Sequence, residues 1–204
     1  MDFCNYKQYT LCMSNPTAPA YILFGIKHSG KSTQGRLLAD KMECPFFDID
    51  DIMKQQTGLF ARDIYLKNGP SGFMIAEENA CRLLAEKYSG KKLIISTGGG
   101  ICDNAPALQF LRDMGTFVFL ETPEKIAADR IVHKMTIQPD GTITDIPAYI
   151  AKKDPHTEND VRTFFHTLYT KRTAIYKIIA DITVQLEDAP KESNLERILK
   201  ALTI

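Results

Sequence analysis

Eight consecutive residues carry the strongest chemical signal in the chain. Gly25-Ile26-Lys27-His28-Ser29-Gly30-Lys31-Ser32 fits the spacing G-x-x-x-x-G-K-[ST] at each fixed position. Glycines in such a loop let the backbone curl until successive N–H groups face one concavity, and a helix opening behind it adds positive potential. Lys31 would bridge the β- and γ-phosphates of a nucleoside triphosphate, and the Ser32 hydroxyl would ligate Mg²⁺. Gly25, His28, Ser29, Gly30 and Thr33 complete the expected nucleotide site. Lys27 and His28 lie in the variable part of the loop, where a solvated role is the plainer alternative.

Two further clusters suit phosphoryl transfer. Asp48 and Asp50 stand two apart at the end of a short apolar run. Both can therefore face the crevice at the carboxyl ends of strands, where ligands of open α/β sheets bind. An acceptor hydroxyl needs a carboxylate to orient it and take its proton, which is the role expected of Asp50, with Lys31 as its catalytic partner. A magnesium ion held through water suits Asp48 together with Ser32. Helix capping is the competing explanation for this acidic run, and it is the expected role of Asp51. Gly98-Gly99-Gly100 closes another apolar run. Without side chains there, a polyhydroxylated substrate can approach the backbone; a tight turn is the alternative. No aspartate ends Leu93-Ile94-Ile95-Ser96-Thr97 in the Walker-B manner, which leaves metal positioning to Asp48.

The elements that must position these groups follow from periodicity and breakers. Ala20–Phe24, Pro45–Phe47, Lys92–Ser96, Thr116–Leu120 and Asp181–Leu186 read as strands. Helices are expected over Lys31–Met42, Phe60–Lys67, Gly72–Tyr88, Ala105–Met114, Pro123–Lys134, Asp160–Ile179 and Lys191–Leu202. The breaker Asn68-Gly69-Pro70 separates the second and third of these. From Met135 to Thr157 the pattern dissolves into Pro, Gly, Thr and Asp, as in a functional lid. Alternating strands and helices give an α/β domain on a mainly parallel sheet, spanning residues 20–204 behind an extension at 1–19.

Composition narrows the function classes. The 204 residues carry 25 Lys plus Arg against 25 Asp plus Glu, so net charge gives no hint of a nucleic-acid or anionic-membrane partner. No apolar run approaches the roughly 20 residues of a membrane span. Five cysteines, none in a C-x-x-C pair, read as reduced thiols of a cytoplasmic protein.

Together these residues resemble the shikimate kinases, small P-loop enzymes of the nucleoside-monophosphate-kinase-like group. Asp48-Ile49-Asp50 matches the family's D-x-D. Thr57, Gly58, Asp63, Ile64, Tyr65, Gly69, Phe73 and Glu77 fall on its stretch T-G-x4-[DE]-I-[FY]-x3-G-E-x2-F-R-x2-E without a gap. Gly98–Gly100 matches its G-G-G, and Arg172 with Tyr176 its R-x3-Y, followed by Ala180-Asp181. The resemblance covers about Ala20 to Leu186. It implies a three-layer P-loop kinase fold with about five parallel strands and a lid loop, and ATP-dependent phosphorylation of the shikimate 3-hydroxyl in aromatic amino acid biosynthesis. It also implies that Asp50 contacts that hydroxyl, that Asp48 and Ser32 hold Mg²⁺, and that Gly98, Gly99 and Gly100 line the substrate pocket. Arg172 would pair with the substrate carboxylate and Arg130 would lie against the adenine ring. A cytoplasmic monomer without nucleic-acid or membrane partners completes what the family implies.

Three departures stand out. Met74 replaces the arginine of F-R-x2-E, Pro70 replaces the glutamate after Gly69, and Ile146-Pro147 stands where the lid carries R-P. Losing one buried partner of a carboxylate costs about 2–5 kcal/mol. Arg62, Arg82, His133, Lys152 and Lys153 are the candidate replacements, and Met74 reads as core packing beside Phe73. Two other readings stay open: a kinase for a different small hydroxylated acceptor, and a nucleotide-binding module without catalysis.

Overall fold

The computed structural model describes residues 19–203, so all but the last residue of the expected 1–19 extension lies outside the described residues. Strand β1 (Ala20–Phe24) runs into the phosphate-loop segment and helix α1 (Lys31–Met42). Strand β2 (Phe46–Asp48) leads directly to α2 (Ile49–Thr57) and the long α3 (Ala61–Tyr88). Then come β3 (Leu93–Ser96), a 3₁₀ turn at Ile101–Asp103, α4 (Ala105–Arg112), β4 (Gly115–Glu121) and α5 (Glu124–Val132). A hairpin of β5 (Thr136–Ile137) and β6 (Ile143–Thr144) precedes the short α6 (Ala148–Ala151). Helix α7 (Glu158–Ile179), strand β7 (Ile182–Gln185) and α8 (Lys191–Ala201) complete the described chain.

Five strands form one parallel sheet in the order β2-β3-β1-β4-β7, as the alternation of elements predicted. Period-two side-chain alternation explains why both faces are covered. Ile22, Phe24, Leu93, Ile95, Phe117 and Phe119 share one core with residues of α2, α3, α4 and α7. Leu23, Ile94, Val118 and Leu120 belong to a second core, with Leu38 of α1 and Ile198 of α8. Tyr176 is wholly buried in the first core, its ring centroid 5.4 Å from Phe24 and 5.2 Å from Phe119. The register sets Asp48 and Leu23 each opposite Ser96, so the ends of β2, β3 and β1 open at one level.

Two local features depart from uninterrupted helix and from plain loop. Within α3, Gly69 takes φ 70° and ψ −176°, and Pro70 follows; the backbone kinks at the expected breaker. Residues 135–157 are more ordered than their composition suggested: they hold the antiparallel hairpin and α6. Ile143, Ile146 and Ile150 anchor this segment in a third cluster with Ile26, Ala127, Ile131 and Phe165. Among the described cysteines, Cys44, Cys81 and Cys102 are outside any disulfide; Cys4 and Cys12 lie outside the described residues. No helix among the described residues is long and apolar enough to cross a membrane.

Candidate active site

The phosphate-binding loop is shaped by one close approach and two tethers. A Cβ on Gly25 would stand 2.7 Å from the Leu120 carbonyl oxygen, and Gly25 has φ 151°. His28 and Gly30 take φ 65° and 91°, which turns the loop into the start of α1. Arg130 Nη1 donates to the His28 carbonyl at 2.9 Å, bracing the loop from α5, and Thr122 Oγ1 donates to the Ser29 carbonyl at 3.2 Å. Ser29 is buried and Thr33 exposed. Lys31 is buried, its Nζ donating to the Ile26 carbonyl at 2.8 Å. Burial pulls its pKa down to about 8, against the opposing pull of Asp50 and Asp48. His28 is pushed to about 4 by burial first, then by Lys27, Lys134, Lys31 and Arg130. Four cations thus act on one loop residue, a field suited to an anionic ligand.

Beside the loop, Ser32 Oγ donates to Asp48 Oδ2 at 2.6 Å and lies 3.4 Å from Ser96 Oγ. Asp48 also caps α2: its Oδ1 accepts from the Asp50 N–H at 3.0 Å. The helix therefore opens at Ile49 and the cap is Asp48, which corrects the expected capping by Asp51. Asp51 instead faces Arg36 on the surface at 3.5 Å. Asp50 Oδ1 is buried without a partner, and burial followed by the neighbouring Asp48 raises its pKa.

Each glycine of the triple faces a different group. A Cβ on Gly98 would lie 3.1 Å from Glu77 Oε1 and 3.5 Å from Asp50 Oδ1. On Gly99 it would lie 2.7 Å from the Lys27 backbone nitrogen, and on Gly100 3.1 Å from Arg172 Nη2. The missing side chains let the strand end pack on the phosphate loop as well as face the cavity. Arg172 donates through Nε and Nη2 to Asp103 Oδ2 at 3.2 and 2.8 Å, and through Nη1 to the Gly99 carbonyl. Tyr176 donates to that same carbonyl at 2.7 Å. Glu77 is 1% exposed and accepts from Asn104 Nδ2 at 2.9 Å, while burial pushes its carboxyl up to about 7.

These groups meet in a cavity of about 690 Å³, within the size range of small-molecule sites. Lys27, His28, Asp50, Gly98, Gly99, Gly100 and Arg172 line it; Lys31, Ser32 and Asp48 stand beside it in the loop and at the end of β2. Pro70, Met74 and Ile146, the three departures, all line the cavity. Met74 is thus a wall residue, which corrects its expected place in the core: past the Gly69 kink, α3 turns Phe73, Met74 and Glu77 together toward the cavity. Of the candidate replacements only Arg62 lines it. Arg82 pairs with Glu86, Lys152 sits over the Tyr65 ring at 4.4 Å, and Lys153 over Phe164 at 5.1 Å. Lys27 and Lys134 line the cavity too, as do Asp103 and Tyr149. Lys27 lies in the variable part of the phosphate-loop motif, whereas no local motif marked Lys134, Asp103 or Tyr149 as site residues.

The arrangement offers a buried cation beside a phosphate-shaped loop, a hydroxyl–carboxylate pair of hard oxygen donors, and a carboxylate facing an acceptor cavity. The shikimate kinase family model matches residues 27–203. A shikimate kinase of Aquifex aeolicus is 37% identical over 108 residues, a match that spans 53% of this chain and 62% of that relative. One of Colwellia psychrerythraea is 30% identical over 182 residues, covering 88% of this chain and 94% of that one. The structure of Acinetobacter baumannii shikimate kinase in complex with shikimate superposes with a TM-score of 0.73 at 26% identity, covering 97% of each chain. With the family model matching most of its length and relatives of this identity covering it, the chain belongs to the shikimate kinase family.

Proposed function

We propose that this chain transfers the γ-phosphoryl group of ATP to the 3-hydroxyl of shikimate. The observation that carries the reading is that one cavity, backed by the buried lysine of a phosphate loop, holds both an unpaired buried carboxylate oxygen, Asp50 Oδ1, and the guanidinium of Arg172. Lys31 is held by a loop carbonyl and has its pKa depressed by burial, so phosphate oxygens arriving there regain for it a counter-charge. Gly25, His28, Ser29, Gly30 and Thr33 supply the rest of the nucleotide cradle, and Arg130 the edge where the base lies.

Ser32 and Asp48 are an all-oxygen pair 2.6 Å apart, which fits a hard divalent cation. Mg²⁺ bound there would neutralise phosphate charge during transfer. Asp50 orients the acceptor hydroxyl and takes its proton; its raised pKa strengthens it as a base. Arg172 keeps two N–H groups beyond those given to Asp103 and Gly99, which suits a planar carboxylate. Gly98, Gly99 and Gly100 let the ring approach the backbone.

Residues 135–157 act as the lid of a single domain at 20–204, excluding water from the reacting phosphoryl. A cytoplasmic monomer acting in aromatic amino acid biosynthesis belongs to the same reading and rests on the family likeness. A coupled ADP-release assay with Mg-ATP tests it: release that saturates with shikimate supports the reading. ADP release indifferent to shikimate, from a preparation that binds ATP, overturns it.

A further inference from the structure

Among the described residues, four buried side-chain oxygens lack a hydrogen-bond partner, and three of them belong to residues lining the one cavity: Asp50 Oδ1, Glu77 Oε1 and the Tyr149 hydroxyl. A buried polar group left unpaired is costly, so three on a single cavity point to a ligand that pairs them. Asp50 and Glu77 present oxygens to the same point above Gly98. Tyr149 stands elsewhere, on α6, with the Arg172 guanidinium carbon 5.5 Å from its ring centroid. Burial raises its phenol pKa, so the hydroxyl keeps its proton and remains a donor.

The donors around Arg172 can be counted. Of its five N–H groups, Nε and one on Nη2 serve Asp103, and one on Nη1 serves Gly99; one remains on each terminal nitrogen. A carboxylate takes about four hydrogen bonds, so this fork leaves it room for another donor. Met74 and Ile146, in the same cavity wall, offer none. We propose that the Tyr149 hydroxyl, together with Arg172, holds the carboxylate of the acceptor and is a specificity-determining residue of the site. The inference rests on the proposed reading of the acceptor as a hydroxylated carboxylate.

The phenol donates its hydrogen bond to the carboxylate, and its ring covers the guanidinium from the lid side. Because Tyr149 is carried by the segment anchored through Ile143, Ile146 and Ile150, carboxylate recognition is coupled to the seating of that segment.

The test is Tyr149→Phe, which removes one oxygen and keeps the ring. A hydrogen bond to a charged group corresponds to a loss of about 10- to 100-fold, so the KM for shikimate should rise by that factor. The KM for ATP should stay unchanged, and thermal stability should not fall, because the oxygen removed was unpaired. With the carboxamide of shikimate as acceptor, the variant and the wild type should agree within about threefold. An unchanged KM for shikimate, or an equal loss with both acceptors, overturns the inference while the wild type still turns shikimate over. A wild type that neither binds nor phosphorylates shikimate overturns the underlying reading, and this inference with it.

Discussion

Replacing Glu77 by glutamine removes a proton-binding group from the acceptor cavity. Glu77 is 1% exposed, pairs through Oε2 with Asn104 and keeps Oε1 unpaired. Burial moves its carboxyl from 4.5 to about 7, opposed in part by the Asn104 hydrogen bond. Between those values the folded chain holds a proton that the unfolded chain has released. Its contribution to stability is therefore fully present below about pH 4.5, is lost as the pH rises to about 7, and is level beyond. That rise in pKa corresponds to about 3 kcal/mol, a large share of the roughly 5–15 kcal/mol that stabilises a domain. Glutamine offers the same acceptor to Asn104, turns an amide toward the unpaired oxygen of Asp50, and stays neutral throughout. Urea unfolding of both proteins from about pH 5 to about pH 8 reads the difference, which should shift in favour of Glu77→Gln by about 2–3 kcal/mol across that range. Parallel stability curves would instead place the Glu77 carboxyl in the ordinary carboxylate range.

Two further substitutions address the same walls. Gly99→Ala would set a Cβ 2.7 Å from the Lys27 backbone nitrogen, too close for contact between a strand end and the phosphate loop. ATP affinity, measured calorimetrically, should weaken by about 10-fold or more as the loop shifts, since misplacing its donors by a fraction of an ångström forfeits hydrogen bonds. Met74→Arg places a guanidinium in the cavity wall one turn before Glu77. It should lower the KM for shikimate about 10-fold by adding a carboxylate partner, and should return the Glu77 carboxyl toward its ordinary range.

What the sequence made legible is what is local. The phosphate loop, the Asp48-Ile49-Asp50 run and the triple glycine are contiguous strings whose backbone geometry follows from their own residues, and the structure brings them to one crevice. Helix α1 spans the expected Lys31–Met42, and the Gly69-Pro70 kink falls where the breaker lies, because both are governed by nearest-neighbour conformational preference. The hairpin and α6 escaped notice because strands of two residues and a helix of four have no room for a period. Met74 was misread because an apolar side chain beside Phe73 looks like core, and only the folded α3 reveals which face meets the cavity. Asp103 and Tyr149 were invisible for a different reason. Their significance comes from Arg172, which is 69 positions from Asp103 along the chain and adjacent to it only after α7 has packed.

In the proposed reaction Asp50 activates a shikimate hydroxyl for attack on ATP. The most direct test of this role is to follow phosphorus resonances in a mixture of Mg-ATP, shikimate and enzyme, with wild type and Asp50→Asn in parallel. A new phosphomonoester signal is expected with wild type, and a rate at least about 100-fold lower with Asp50→Asn at unchanged ATP affinity. Equal rates from the two proteins, or loss of ATP to inorganic phosphate alone, would contradict that role.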